Sequence, residues 1–242
     1  DDESAAIHLT IGLRRQSVVA ILCLYRVFLD VSACMQLYFA QFVAMTITTL
    51  IFDVDDSLYD RSTGFTDYRN GPCVAQFMVD KLQFPSHEAA LAVRDEYFSR
   101  THSTAKGLKL AEQEGRLPAG VTFDKEELAD YWSTHMNFDM LGPKKQQLLQ
   151  DLQDCPLRLV AFSNGPRKYV KRTLVTLGLF SLFGEDRLFA VDDVLPHCKP
   201  EKEAFDVVLK KIGVDSYEEC VMVEDSMKNV KQAKALGMKT VL

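Results

Sequence analysis

Apolar residues fall along this chain in two rhythms. Short runs of Val, Ile, Leu and Phe, closed by polar residues, occur at 48–54, 157–162, 188–190 and 220–223, with a last run at 239–242. Runs of this length are the pattern of strands buried on both faces. Longer stretches at about 166–178, 201–212 and 226–236 read as helices between them. The alternation predicts βαβ units and a parallel sheet. Between the first run and residue 157 lie about a hundred residues with no strand pattern. Helix-like segments near 72–83, 87–112 and 125–150 fill it, separated by Gly71-Pro72, Pro85-Ser86, Pro118-Ala119-Gly120 and Gly142-Pro143. The expected fold is α/β, a doubly wound parallel sheet with a helical unit inserted after its first strand. The expected boundaries are a core of 45–62 and 151–242, an insertion of 63–150, and an N-terminal extension of 1–44.

The two ends read differently from the middle. Arg14-Arg15-Gln16 precedes an apolar stretch at 18–25, Arg26 and Asp30 interrupt it, and apolar residues resume to Ala44. No unbroken apolar run reaches the roughly 18 residues of a spanning helix, so no membrane span is expected. Arg-Arg before a short apolar block has the form of a targeting segment, which Asp1, Asp2 and Glu3 oppose. The reading adopted is that the functional domain starts at Met45. Its location is then cytoplasmic, or organellar if residues 1–44 act as a transit segment. At the other end, 239–242 reads as a strand cut short of the turn that would follow it.

Composition adds exclusions. The 242 residues carry a formal net charge of −6, with 47% hydrophobic and 26% charged residues, the balance of a soluble globular protein. It offers no general electrostatic reason to bind nucleic acid. The six cysteines, at 23, 34, 73, 155, 198 and 220, form no C-x-x-C pair and read as reduced thiols rather than a disulfide frame or zinc site. Nothing in the sequence indicates an oligomeric state.

Four strand ends carry the candidate chemistry. The first run delivers Asp53, Asp55 and Asp56 within four residues, at the edge where open α/β sheets place their sites. Carboxylates so close raise each other's pKa unless a cation or proton intervenes. An EF-hand is excluded, because Leu58 and Gly64 stand where that loop needs Gly and Glu. The plain alternative is an acidic turn with Asp56 or Ser57 as a helix N-cap. The second run ends in Ser163-Asn164-Gly165, where a hydroxyl and free backbone N–H groups suit a phosphate oxygen, although such residues are also ordinary turn formers. In His197-Cys198-Lys199-Pro200-Glu201, Pro200 is expected to start a helix and fix Lys199 just before it, although a lone loop lysine is usually solvated. The fourth run ends in Glu224-Asp225-Ser226. One parallel sheet would bring all four loops to a single edge, offering carboxylates to a hard cation and a hydroxyl and ammonium to an anion.

In that order and at those strand ends, these residues resemble the four motifs of the haloacid dehalogenase superfamily, from about Thr46 to Leu242. The resemblance implies a Rossmann-like core with Asp53 as nucleophile, Asp55 as general acid/base, and Ser163 and Asn164 at the phosphate. It implies Lys199 as the phosphate-side cation, Mg²⁺ held by Asp53, the Asp55 carbonyl and Asp225, with Glu224 direct or through water, and the insertion as a cap over substrate. Within the superfamily the chain looks closest to the pyrimidine 5′-nucleotidase group of plants and fungi. That likeness rests on Phe52-Asp53-Val54-Asp55-Asp56-Ser57-Leu58-Tyr59, on Glu224-Asp225-Ser226-Met227-Lys228-Asn229-Val230, and on the run from Ala233 to Val241. Thr101-His102-Ser103-Thr104-Ala105-Lys106-Gly107-Leu108 resembles the group's cap segment of hydroxyl residues ending in basic-Gly-Leu. His102 stands where Gly is usual and Ser57 where Thr is usual. The implied partner is a small phosphate ester, hydrolysed through an aspartyl phosphate; sugar phosphates and phosphoglycolate are alternative substrates.

Three rivals use similar parts. A haloacid dehalogenase shares the nucleophile, but expelling halide needs neither a proton donor nor magnesium, so Asp55 and the 224–225 acids favour phosphate. A phosphoacceptor receiver domain has its metal-binding acids before the acceptor, whereas here an acid pair follows the lysine. A silent binding protein would keep the fold without the full residue set. Elsewhere, Tyr97, Phe98 and Trp132 read as insertion core, His102 and His135 as surface or partly buried, and Arg167, Lys168, Lys171 and Arg172 as a solvated helix face.

Overall fold

The computed structural model describes residues 47–242, so the expectations for residues 1–44 and for a start at Met45 lie outside the described residues. Among the described residues, five parallel strands form one sheet: β1 (Thr49–Phe52), β2 (Arg158–Phe162), β3 (Leu188–Phe189), β4 (Cys220–Val223) and β5 (Lys239–Val241). Their order is β3-β2-β1-β4-β5. The central β1 is buried throughout and runs from Thr49 opposite Arg158 and Cys220 to Phe52 opposite Ala161 and Val223. The chain builds outward from β1 to β3 on one side and then returns to β4 on the other. The topological switch point, where open sheets form their crevice, therefore lies between β1 and β4.

Helices cover both faces. They are α1 (Val74–Asp80), α2 (His87–Thr101), α3 (Thr104–Gln113), α4 (Lys125–His135), α5 (Gln146–Gln153), α6 (Arg167–Leu177), α7 (Lys202–Ile212) and α8 (Met227–Leu236), with shorter turns between. Strand residues alternate between two apolar layers. Leu50, Phe52, Leu159, Ala161 and Val221 pack with α6 and with the helices between β1 and β2, whereas Ile51, Val160, Phe162 and Met222 pack with Phe205, Val208 and Ala233 of α7 and α8. Burial on both faces is why the strands read as unbroken apolar runs.

The described residues between β1 and β2 contain helices and turns and no strand, with more breaks than the sequence pattern implies. The single helix expected over 87–112 is two. His102 ends α2 in the left-handed region (φ 56°), donating its N–H to Phe98 O, and extended Ser103 starts α3. Neither residue is a Gly or Pro, so local chemistry does not mark the break. The helix expected over 125–150 is also two, parted by a 3₁₀ turn (Phe138–Leu141) that Asn137 opens by accepting from Asp139 N. Ahead of α1 the chain makes a π-helical turn, Arg69–Cys73, containing Pro72. Helix α7 starts at Lys202 with Glu201 as N-cap, so Pro200 precedes the helix instead of opening its first turn.

Gly107 lets α2 and α3 approach closely: a Cβ there would sit 3.1 Å from Thr101 Oγ1 and 3.3 Å from the Tyr97 backbone carbon. Tyr97 and Trp132 are buried, and Phe98 is half-buried. The basic residues of α6 are engaged rather than merely solvated. Arg167 reaches Asp193 (3.0 Å) and Leu188 O (2.6 Å), Lys168 pairs with Asp130 (2.7 Å), Lys171 pairs with Glu185, and Arg172 bonds Ser133 O. Among the described residues no helix is long and apolar enough to cross a membrane.

Candidate active site

Asp53 is the first residue past β1, and its backbone N–H donates to Val223 O (2.9 Å). That bond extends the β1–β4 pairing one step and puts the Asp53 side chain beside the end of β4. Lys199, only 1% exposed, points its ammonium into the same place. It donates to Asp53 Oδ1 (2.6 Å), to Glu224 Oε2 (2.7 Å) and to Phe162 O at the end of β2 (2.7 Å). One cation thus joins the ends of β1, β2 and β4.

Asp225 completes the acidic group. A carboxylate oxygen from each of Asp53, Glu224 and Asp225 lies within 4.8 Å of the others, close enough to share one ion. Three ionised carboxylates against one ammonium would leave two negative charges uncompensated, which favours proton uptake. Burial, then the charge of Glu224, push Asp53 up to about 8 despite Lys199. Burial likewise raises Glu224 against the pull of Lys199, and burial followed by the Asp53 charge raises Asp225. Lys199 moves the other way: burial disfavours its charge, but Asp53 and Glu224 outweigh that and hold it protonated above its ordinary range. An all-oxygen donor set carrying excess negative charge is what a hard divalent ion such as Mg²⁺ requires.

Ser163 is buried just past β2, with its N–H on Phe189 O (3.0 Å) and its Oγ accepting from Gly165 N (3.0 Å). The Asn164 side chain is committed elsewhere. It accepts from Lys199 N (2.9 Å), and its Nδ2 donates to Lys199 O (2.8 Å) and His102 O (3.2 Å). Asn164 therefore braces the backbone on both sides of Lys199, which leaves its phosphate-binding expectation to its main-chain N–H.

Asp55 stands apart from the lysine. Its Oδ1 accepts from Tyr59 OH (2.7 Å) and Tyr169 OH (2.6 Å), and its Oδ2 accepts from Arg69 Nη1 (2.5 Å). Burial alone would raise its pKa, but the Arg69 charge and these hydrogen bonds hold it below the ordinary carboxylate range. Asp56 and Ser57 cap no helix. Asp56 adopts φ 58° and accepts from Thr66 Oγ1 (2.9 Å), while Ser57 Oγ lies 3.5 Å from Asp53 Oδ2.

Sequence reasoning missed Arg69, Tyr59 and Tyr169. Arg69 sits in a polar stretch that reads as solvated, and its partner is fourteen positions away. It also missed contacts between the 101–106 segment and the core: Ser103 Oγ to Asn164 O (3.2 Å), Cys198 Sγ to Thr101 O (3.0 Å), and Lys106 to Glu201. His102 is half-buried, whereas His135 is exposed and stacks on Tyr131.

These strand-end acids and the buried lysine define the class. The model of the haloacid dehalogenase-like hydrolases matches residues 47–237, and the chain belongs to that family. Phosphate metabolism protein 8 of Saccharomyces cerevisiae is 25% identical over 200 residues, covering 79% of this chain; the chain spans 60% of that relative's length. Among solved structures, the 2-haloacid dehalogenase of Pseudomonas syringae pv. Tomato DC3000 aligns over 80% of this chain and 85% of its own (20% identity, TM-score 0.51). The HAD-hydrolase YfnB of Bacillus subtilis, solved bound to magnesium, aligns over 81% and 86% (21% identity, TM-score 0.46).

Proposed function

We propose that this hydrolase cleaves small phosphate monoesters through an aspartyl phosphate, with a pyrimidine nucleoside 5′-monophosphate as the best-fitting substrate. The observation that carries the reading is the convergence of Asp53, Glu224 and Asp225 on one point, with Lys199 bonded to two of them. Asp53 is the nucleophile: its carboxylate attacks phosphorus, and the ester P–O bond breaks. A phosphate dianion would be repelled by this acidic pocket, so cationic charge must enter with it. Mg²⁺ held by Asp53, Asp225 and the Asp55 carbonyl, with Glu224 direct or through water, would supply that charge. Lys199 holds the attacking carboxylate and faces the transferring oxygens. Ser163 and the main-chain N–H of Asn164 receive another phosphate oxygen. Asp55 gives its proton to the departing alkoxide and then takes one from the water that hydrolyses the acyl phosphate. For this step Asp55 must take up a proton against the Arg69 charge and the hydrogen bonds that favour its carboxylate form.

The helices at 63–150 act as a cap in this reading. Support for the nucleotide comes from the 101–108 segment, which bears the nucleotidase group's hydroxyl, basic and Gly-Leu residues and is bonded to Asn164 and Glu201. Support for phosphate over halide comes from Asp55, a proton donor that a dehalogenase does not require. The test is release of inorganic phosphate from UMP, CMP, purine monophosphates, sugar phosphates and phosphoglycolate, with Mg²⁺ or with chelator. Preferential Mg²⁺-dependent turnover of UMP and CMP is expected. Equal rates on all would leave a generic phosphatase, and halide release from 2-haloacids without phosphate release would refute the reading.

A further inference from the structure

We infer that Arg69 and Tyr169 are the positioning residues of the proton-transfer step: together they fix the plane of the Asp55 carboxyl and leave one site on it from which a proton can pass to the leaving group. This rests on Asp55 being the acid in the function proposed above.

The inference comes from counting donors. A carboxyl group has about four lone-pair sites. On Asp55, Tyr59 and Tyr169 occupy both sites of Oδ1, and Arg69 occupies one site of Oδ2. Among the described residues, the site left without a donor is on Oδ2, beside the guanidinium. Arg69 Nη1 also donates to Tyr169 OH (2.8 Å), so the arginine and the tyrosine lock each other as well as the acid. The guanidinium cannot swing away: its Cζ lies 4.9 Å from the Tyr169 ring centre and 5.4 Å from that of Trp132, and its Nε donates to Asn70 Oδ1 (3.3 Å). Arg69 itself is only 9% exposed.

The four contributors come from separate parts of the chain: Tyr59 from the loop after β1, Arg69 from the π-helical turn, Trp132 from α4, and Tyr169 from α6. Placing the Asp55 proton therefore depends on the helices between β1 and β2 being seated on the core. In the first half-reaction the Asp53 Oδ–P bond forms, the P–O bond to the alcohol breaks, and the proton on Asp55 Oδ2 moves to the alkoxide oxygen. In the second, water's oxygen bonds phosphorus, the Asp53 O–P bond breaks, and a water proton returns to Asp55. An acid displaced by about an ångström loses on the order of 10²-fold in rate. That loss falls mainly on leaving groups that need the proton.

The experiment compares Arg69→Gln, Arg69→Lys, Tyr169→Phe and Asp55→Asn with the unaltered chain, with Mg²⁺, on 4-nitrophenyl phosphate and on benzyl phosphate. The first expels a stable phenolate and the second a basic alkoxide. For Arg69→Gln and Tyr169→Phe, kcat on benzyl phosphate is expected to fall on the order of 10²-fold and on 4-nitrophenyl phosphate less than about 10-fold. Arg69→Lys should recover part of the loss. A merely structural role would lower both substrates alike, and that result, or no loss on either, overturns the inference. If Arg69→Gln does not fold, Tyr169→Phe, which keeps the ring, decides alone. Asp55→Asn separates the two failures. Selectivity in Asp55→Asn without selectivity in the Arg69 and Tyr169 variants refutes only the positioning role, while no selectivity in Asp55→Asn refutes the assignment of the acid itself and this inference with it.

Discussion

Replacing Lys199 by Met tests the electrostatics of the site more directly than any loss of activity. The methionine keeps the length and apolar stem of a side chain that is 1% exposed and deletes an ammonium bonded to Asp53, Glu224 and Phe162 O. Removing one partner of a buried ion pair typically costs about 3–5 kcal/mol, because the other charge stays buried without compensation. At roughly 2–4 °C per kcal/mol for a domain of this size, the melting temperature should drop by about 6–20 °C in chelator at pH 9, above the value of about 8 to which Asp53 is raised. Lowering the pH protonates Asp53 and Glu224, whose affinities burial has already raised, so the penalty should shrink toward pH 5. Mg²⁺ should recover part of the loss at pH 9 by replacing the missing charge. Circular dichroism melts of both proteins at two pH values, with and without Mg²⁺, suffice. A variant as stable as the parent at pH 9, or a gap that does not narrow at pH 5, would refute the reasoning.

Two further outcomes follow from the same geometry. Asp53 binds a proton more tightly folded than unfolded, from an ordinary 3.8 up to about 8, so between those values the native state holds a proton that the unfolded chain has lost. Stability without metal should therefore fall as pH rises through that window, by up to about 1.4 kcal/mol per pH unit. Asp53→Asn should flatten this slope in denaturant titrations while reducing turnover to background; a full slope or full activity in that variant contradicts the assignment. At Gly107, alanine gains about 1 kcal/mol of helix propensity, but its Cβ meets Thr101 Oγ1 and the Tyr97 backbone, and overpacking costs about 1–3 kcal/mol. Gly107→Ala should melt lower than the parent, and a higher melting temperature would show that α2 and α3 have room to separate.

The parallel sheet was legible because β1 to β4 are largely buried on both faces and show as apolar runs, unlike the half-exposed β5, and the strand-end acids were legible because each follows such a run closely. Lys199 could be noticed but not placed from its own surroundings, since its burial depends on Phe162 and Glu224, which belong to two other loops. Arg69 gave no local signal: an arginine in a polar stretch is ordinary, and what makes it special is a tyrosine one hundred positions later. The helix break at His102 was hidden for a related reason, whereas the one after α4 adjoins Gly142-Pro143, which the sequence does mark. One left-handed residue ends a helix without the Gly or Pro that a reader scans for, and at His102 the contacts of Thr101, Ser103 and Asn164 hold the conformation.

Neighbouring strands β1 and β2 are hydrogen-bonded partners, yet residues 53–157 intervene between them in the chain. The entropy of closing a loop rises only with the logarithm of its length, about 0.6 kcal/mol for each doubling. Shortening or enlarging the intervening helices would thus scarcely disturb the pairing that aligns the reactive groups. A lineage with this chain layout is free to exchange those helices while the sheet that holds Asp53 and Lys199 stays put, and the constraint that remains is local: whatever replaces them must still present a residue to Asp55.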